Sequence, residues 1–213
     1  MNTELLMSYP GPAYRIHTAR LVLRCWQPSD APQLSQALIE SREHLLRWMP
    51  WAIHEPLTLA ERVQWLRSTR GKFDMDVDFI YGVFDRQETR VLGSSGLHTR
   101  LGEGAREIGY WIHKDFINQG LATELSAALT RVAFEIEHVC RVEIHCDPLN
   151  LASAAVPRKL GYTHEGTLRA RSLNYDGSPS DSMIWTLFPE EYPQTPSAAA
   201  AIEAFDALGQ RIL

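Results

Sequence analysis

Between a strand-like run ending at Ile112 and a helix-like run starting at Leu121, the chain reads FINQGLAT, with Gly120 directly ahead of the helix. A helix start exposes backbone N–H groups that lack an intrahelical partner, and the helix dipole adds positive potential there. Such a turn can therefore grip a phosphate-bearing ligand. It has neither the Lys-Ser/Thr pair of a P-loop nor the three glycines of a dinucleotide-binding fingerprint. A single glycine in this place is more often a tight-turn residue than a phosphate cradle, so Gly120 alone leaves both readings open. A second set of reactive side chains, His138, Cys140, His145 and Cys146, is of metal-capable type. Successive strand residues face opposite ways, so His145 and Cys146 cannot both turn to one ion, and no metal is expected.

The glycine turn needs a strand before it and a helix after it, and the pattern supplies both. Residues 107–112 (EIGYWI) read as a strand. Residues 121–136 read as an amphipathic helix, with Leu121, Leu125, Ala128, Leu129, Val132 and Ile136 at helical spacing. Residues 141–146 return as a strand, which makes a crossover unit. Ahead of it, residues 20–26 read as a first strand, and a helix follows Pro28-Ser29-Asp30 to about Trp48. A second helix is predicted over 59–69 and an antiparallel strand pair over 79–84 and 91–99. Behind the crossover, a short helix runs to Leu160 with Gly161 as its C-cap, and strands at 162–168 and 183–188 flank an Asp176-Gly177 turn. An alanine-rich stretch after Pro196 predicts a terminal helix with Ile202, Phe205 and Leu208 on one face, able to pack on the domain or on a second subunit, so a homodimer is possible.

At 213 residues, with 45% hydrophobic and 22% charged residues, the chain fits one globular domain with a short appendage. Its net charge of −5 lacks the cationic excess that nucleic-acid binding relies on, and is compatible with a cationic amine. Three irregularly spaced cysteines imply no disulfide framework. The opening residues carry Glu4 and two prolines where a secretory signal would be basic and then apolar, and Glu124, Arg131 and Glu135 interrupt the most apolar helix. A cytoplasmic protein without a membrane span is expected.

The stretches EIGYWIHKDFINQGLATE and NLASAAVPRKLGYTHEGTLR resemble the GNAT acetyltransferase superfamily, and within it the RimJ/RimL-type protein N-terminal acetyltransferases. The resemblance runs from about Ile16 to Phe188. It implies an α/β fold with a mostly antiparallel mixed sheet containing one splayed parallel pair, flanked by helices. It also divides the chain into an extension over 1–15, the acetyltransferase domain over 16–190 and a tail over 191–213. In that family a Q/R-x-x-G-x-G/A turn holds the pyrophosphate of acetyl-CoA; residues 117–122 match it, with Ile117 for the usual first residue and Asn118 for an often-seen glycine. Main-chain N–H groups do the gripping, so the mechanism survives these departures. By resemblance, Gln119, Gly120, Leu121, Ala122 and Thr123 bind the cofactor's diphosphate, and the strand near Trp111 and Ile112 pairs with its pantetheine arm.

Asn150 and Ser153 match the family's Asn-x-x-Ser, which implies that Asn150 binds the cofactor or orders the loop and that Ser153 donates to the departing thiolate. An N-cap role for serine stands beside that reading. The family's tyrosine acid is replaced by Pro157. A neutral amine must attack the thioester, so a base has to take its proton. Glu107, on the strand expected to carry the thioester with Gly109 and Trp111 on its face, is the first candidate, and an exposed strand-end glutamate is the alternative. Asp78, His98 and His145 follow. Trp48-Met49-Pro50-Trp51 resembles the acceptor-side Trp-Leu-Pro-Trp loop, so Trp48 and Trp51 either line the amine pocket or cap the core. The implied reaction is acetyl transfer from acetyl-CoA, without metal, to a primary amine by direct attack, at a peptide N-terminus or on a small amine or antibiotic. The glutamate that RimL-like chains carry after the Glu-Gly turn has no counterpart in RARSLNYDG, which motivates a third reading, a non-catalytic acyl-CoA sensor.

Overall fold

The computed structural model describes residues 11–213, so most of the expected extension over 1–15 lies outside the described residues. Two short strands, β1 (Arg15–His17) and β2 (Leu21–Cys25), lead into helix α1 (Ala31–Leu46). After a 3-10 turn at Pro50–His54 comes α2 (Leu59–Asp74), whose start is fixed by a capping box in which Thr58 and Glu61 satisfy each other's backbone N–H. Strands β3 (Phe79–Asp85), β4 (Val91–His98) and β5 (Ala105–Ile112) form a meander. The crossover follows: α3 (Leu121–Glu135), then β6 (Arg141–Cys146) and α4 (Leu151–Lys159). Strands β7 (Thr163–Leu173) and β8 (Pro179–Leu187) make a long hairpin, and β9 (Glu203–Phe205) closes the chain.

These strands form one sheet in the order β7-β8-β6-β5-β4-β3-β2-β1-β9. Its pairs are antiparallel except β5 with β6, which are parallel because α3 carries the chain back across the sheet. Alternation along β2 sorts the two faces: Leu21, Leu23 and Cys25 join the core under α3, while Val22 packs with Trp26 under α1. On the first face Leu121, Leu125, Leu129 and Val132 of α3 are buried against the sheet. Each such side chain contributes roughly 1.5–3 kcal/mol by leaving water, which locks the helix start over the end of β5.

The tail differs from the expected helix. Residues 195–200 run through turns, Arg131 Nη1 donates to the Ala200 carbonyl at 2.8 Å, and β9 pairs antiparallel with β1. Ile202 and Ala204 are buried, whereas Leu208, expected on the same face, is 80% exposed. Alanine favours a helix, but a short isolated helix is marginal, and the open edge of β1 offers hydrogen bonds that a free helix could not match. The tail therefore completes the sheet, and the helix that suggested a dimer surface does not form. Among the described residues no helix is long and apolar enough to cross a membrane.

Candidate active site

Gly120 is the N-cap of α3, with φ of 77°, a left-handed conformation that a residue with a Cβ adopts only at a cost of about 1–2 kcal/mol. No side chain caps this end, so the N–H groups of Leu121, Ala122 and Thr123 are left for a ligand. Arg20 braces the turn: its Nη1 donates to the Gln119 carbonyl at 2.8 Å and its Nε to Glu124 at 2.6 Å. Burial would raise the Glu124 carboxyl, but hydrogen bonds from Thr18 and Arg20 hold it below its ordinary value. The acid in the first helical turn is thereby balanced by a guanidinium. Arg20 was not foreseen, because about a hundred residues separate it from the turn it supports.

Parallel pairing between β5 and β6 covers only Ala105 to Glu107 against Arg141 to Glu143. Beyond Glu107, β5 runs on to Ile112 bonded to β4 alone, and β6 runs on to Cys146 bonded to β8 alone. The strands have parted, leaving main-chain groups of residues 108–112 without a partner strand on that side. Unpaired backbone inside a protein is costly, so the slot suits a ligand that carries amides of its own. Ile112 turns into the core on the α3 side, and Trp111 faces the opposite way.

Across the slot stands α4. Asn150 Oδ1 accepts from Ser153 N–H at 3.0 Å, so the asparagine caps this helix and Ser153 is not the N-cap. The serine hydroxyl is left to meet Tyr110 Oη at 2.9 Å. Burial pushes the Tyr110 phenol far above its ordinary range, so it remains a hydrogen-bonding group. A tyrosine hydroxyl thus reaches this region from β5, although the sequence position where the resemblance would put one holds Pro157. The Cys146 thiol next to Ser153 is pushed up to about 11 by burial.

On the other face of the slot lies a cavity of about 1160 Å³ whose wall includes Trp48, Trp51, Glu107, Trp111, Asn150 and Ser153. Gln119 to Thr123 stand outside it, at the far end of the parted strands. Trp48 precedes the 3-10 turn and Trp51 lies within it, and Trp65 of α2 joins them with a buried ion pair, Glu55 with Arg62. That pair was not visible in the sequence. Glu107 is paired with Arg100, whose Nε approaches at 2.7 Å. Burial would raise this carboxyl, but the hydrogen bond and charge of Arg100 hold it below the usual glutamate value. His145 Nε2 lies 2.6 Å from Glu143, and its Nδ1 3.9 Å from Glu107. His98 also lines the cavity and meets Asp78, whose carboxyl burial would raise but the histidine holds down. His138, Cys140, His145 and Cys146 do not converge on a common point among the described residues.

A free helix N-terminus, a parted parallel pair and an aromatic cavity are the parts a long phosphorylated thioester and an amine would need. The family description "Acetyltransferase (GNAT) domain" matches residues 20–163. The [ribosomal protein uS5]-alanine N-acetyltransferase of Escherichia coli is 26% identical over 178 residues, covering 83% of this chain and 91% of that protein. Two solved structures share the fold. The ribosomal-protein-S5-alanine acetyltransferase of Vibrio fischeri superposes with a TM-score of 0.75 at 20% identity, covering 84% of this chain and 98% of that one. RimJ of Mycobacterium smegmatis, solved with a coenzyme A disulfide, gives 0.74 at 23% identity, covering 88% and 94%. The chain belongs to the GNAT acetyltransferase family and is an acetyl-CoA-dependent N-acetyltransferase.

Proposed function

We propose that the protein acetylates the α-amino group of a protein or peptide N-terminus, by direct attack of the amine while donor and acceptor are held together. The observation that carries this reading is the meeting of two channels at Glu107 and Gly109. The parted edge of β5 arrives from the α3 side and the tryptophan-walled cavity from the other. The thioester supplies an activated acetyl carbon there, and alignment of the two reactants can contribute several kcal/mol. An exposed cavity wall with Trp51 41% accessible suits the first residues of a peptide, and the name of the Escherichia coli relative points to an alanine of a ribosomal protein.

The chain's own groups divide the work. The N–H groups of residues 121–123 hold the diphosphate, Asn150 keeps the α4 start in place, and a free N–H on the outer part of β5 meets the carbonyl oxygen as charge builds on it. Glu107, kept ionised by Arg100, draws in the acceptor's ammonium; a carboxylate held this low is a better anchor than final proton acceptor. Ser153, backed by Tyr110, donates to the departing sulfur. Cys146 is the one buried thiol in the cavity wall, and at about 11 it stays protonated near neutral pH, which argues against an acyl-cysteine step.

Glu107→Gln and Ser153→Ala are each expected to lower kcat by roughly 10-fold with coenzyme A affinity unchanged, the scale of a single charge-assisted hydrogen bond. Cys146→Ala should keep the wild-type rate. Rate and calorimetric titration together check all three; unchanged kcat in both of the first two variants would move the site elsewhere. The acceptor is tested by thiol release with a panel of free and N-terminally blocked peptides beside small amines. Release with free peptides alone supports this reading. Activity confined to small amines would replace it with a detoxifying enzyme, and coenzyme A binding without release from any amine would replace it with a sensor.

A further inference from the structure

His98 ends β4 directly across from Glu107, and its ring fills a niche that two glycines leave open. Gly96 and Gly109 pair with each other across β4 and β5. A Cβ on Gly96 would stand 2.9 Å from the imidazole Nε2, and one on Gly109 3.2 Å from it, so a larger residue at either place crowds the ring. Nδ1 lies 3.0 Å and 3.2 Å from the two oxygens of Asp78. Nε2 has no hydrogen-bond partner among the described residues and belongs to the cavity wall. A carboxylate at Nδ1 fixes the N–H on that nitrogen and leaves the lone pair on Nε2. His145 is placed differently, with a carboxylate beside each of its nitrogens.

We infer that His98 is the general base of the transfer, taking the acceptor's proton at Nε2, and that Asp78 is the positioning residue that sets its tautomer. This rests on the acetyl-transfer reading above. Gly109 is two residues past the point where β5 leaves β6, so Nε2 hangs over the first stretch of the open edge. The acceptor ammonium gives one proton to Nε2 and becomes an amine. Its lone pair forms the C–N bond, the C–S bonding pair leaves with sulfur, and the second proton shed by nitrogen reaches that sulfur through Ser153. The products are an amide, a free thiol and one proton on His98, which returns to solvent. The charges facing the ring are Asp78 ahead of β3, Arg100 beyond β4, Glu107 on β5 and, behind Glu107, His145 and Glu143 on β6. Glu107 is matched by Arg100 and Glu143 by Arg141 and His145, so Asp78 is the carboxylate committed to His98.

His98→Gln and Asp78→Asn are the decisive variants, measured with acetyl-CoA and an accepted amine, beside coenzyme A titration and ¹⁵N spectra of the ligand-free protein. The wild-type ring should show the Nδ1–H tautomer, and Asp78→Asn should shift it toward Nε2–H. Both variants should lose about 10²-fold in kcat/KM, a typical general-base contribution. The pH profile of the rate should change shape in both variants, while coenzyme A affinity stays within about twofold. Added imidazole should restore part of the rate in His98→Ala, where the niche between the glycines is open, which guards against a fold defect. Full rate and an unchanged pH profile in His98→Gln, or an Nε2–H tautomer in wild type, overturns the inference while the acetyl-transfer reading stands. Coenzyme A binding without thiol release in wild type would overturn both.

Discussion

Ala122→Asp is expected to weaken coenzyme A binding by roughly 100-fold or more while leaving the fold as stable as before. Ala122 is the second residue of α3, half-buried, at the end whose N–H groups no side chain caps. A carboxylate in the first turn of a helix favours the helix by about 0.3–1 kcal/mol, so thermal melting should hold steady or rise slightly. The same carboxylate faces the place proposed for the diphosphate. Two like charges about 5 Å apart in surroundings of effective dielectric near 20 repel by about 3 kcal/mol, which is more than a factor of 100 in affinity. Opposite effects on stability and binding separate loss of the anion site from loss of the fold. Calorimetric titration and a melting curve on the same preparation read both. An affinity within threefold of wild type would mean that the diphosphate does not sit at this helix start, and the roles given to residues 119–123 would fall with it.

The parts of the site that could be read in the chain are those whose cause is local. The turn at Gly120 is announced by one residue that tolerates positive φ and by the apolar spacing of the helix behind it, and both features are where the pattern places them. The Asn150 to Ser153 spacing is a local cap, and the structure assigns the cap to the asparagine, freeing the serine hydroxyl for Tyr110. Separation of β5 from β6 has no periodic signal, since each strand alternates as it would if paired throughout. Only the family resemblance implies it. Contacts that cross the chain have no sequence signal: Arg20 on the α3 turn, Arg62 on Glu55, and the Asp78 to His98 pair, where each residue is a candidate by type and the contact is not legible. The tail departs from the expected helix because propensity is a weak prior, overruled when an open strand edge is within reach.

Arg62→Leu should destabilise the protein by about 3–5 kcal/mol, the cost of leaving a buried carboxylate without its partner. Arg62 and Glu55 side chains are 3% and 6% exposed, and both oxygens of Glu55 meet Arg62 Nη2. Water cannot replace the guanidinium in that setting, whereas a surface pair such as Arg70 with Asp74 would be worth well under 1 kcal/mol. At roughly 2–4 °C per kcal/mol for a chain of this size, the melting temperature should fall by about 10 °C. Replacing both partners, Glu55→Leu with Arg62→Leu, should recover most of the loss, because no charge is then stranded. The pair also braces the cavity wall: the Arg62 guanidinium lies 5.7 Å from the Trp65 ring centroid, and Arg42 holds the Glu55 carbonyl at 2.7 Å. At a temperature where the variant is still folded, KM for the acceptor should therefore rise while coenzyme A affinity does not, since the diphosphate site proposed above lies at the other end of the parted strands. A variant that melts within 2 °C of wild type, or one in which both ligands weaken equally, would show that this pair neither holds the wall nor belongs to the acceptor side.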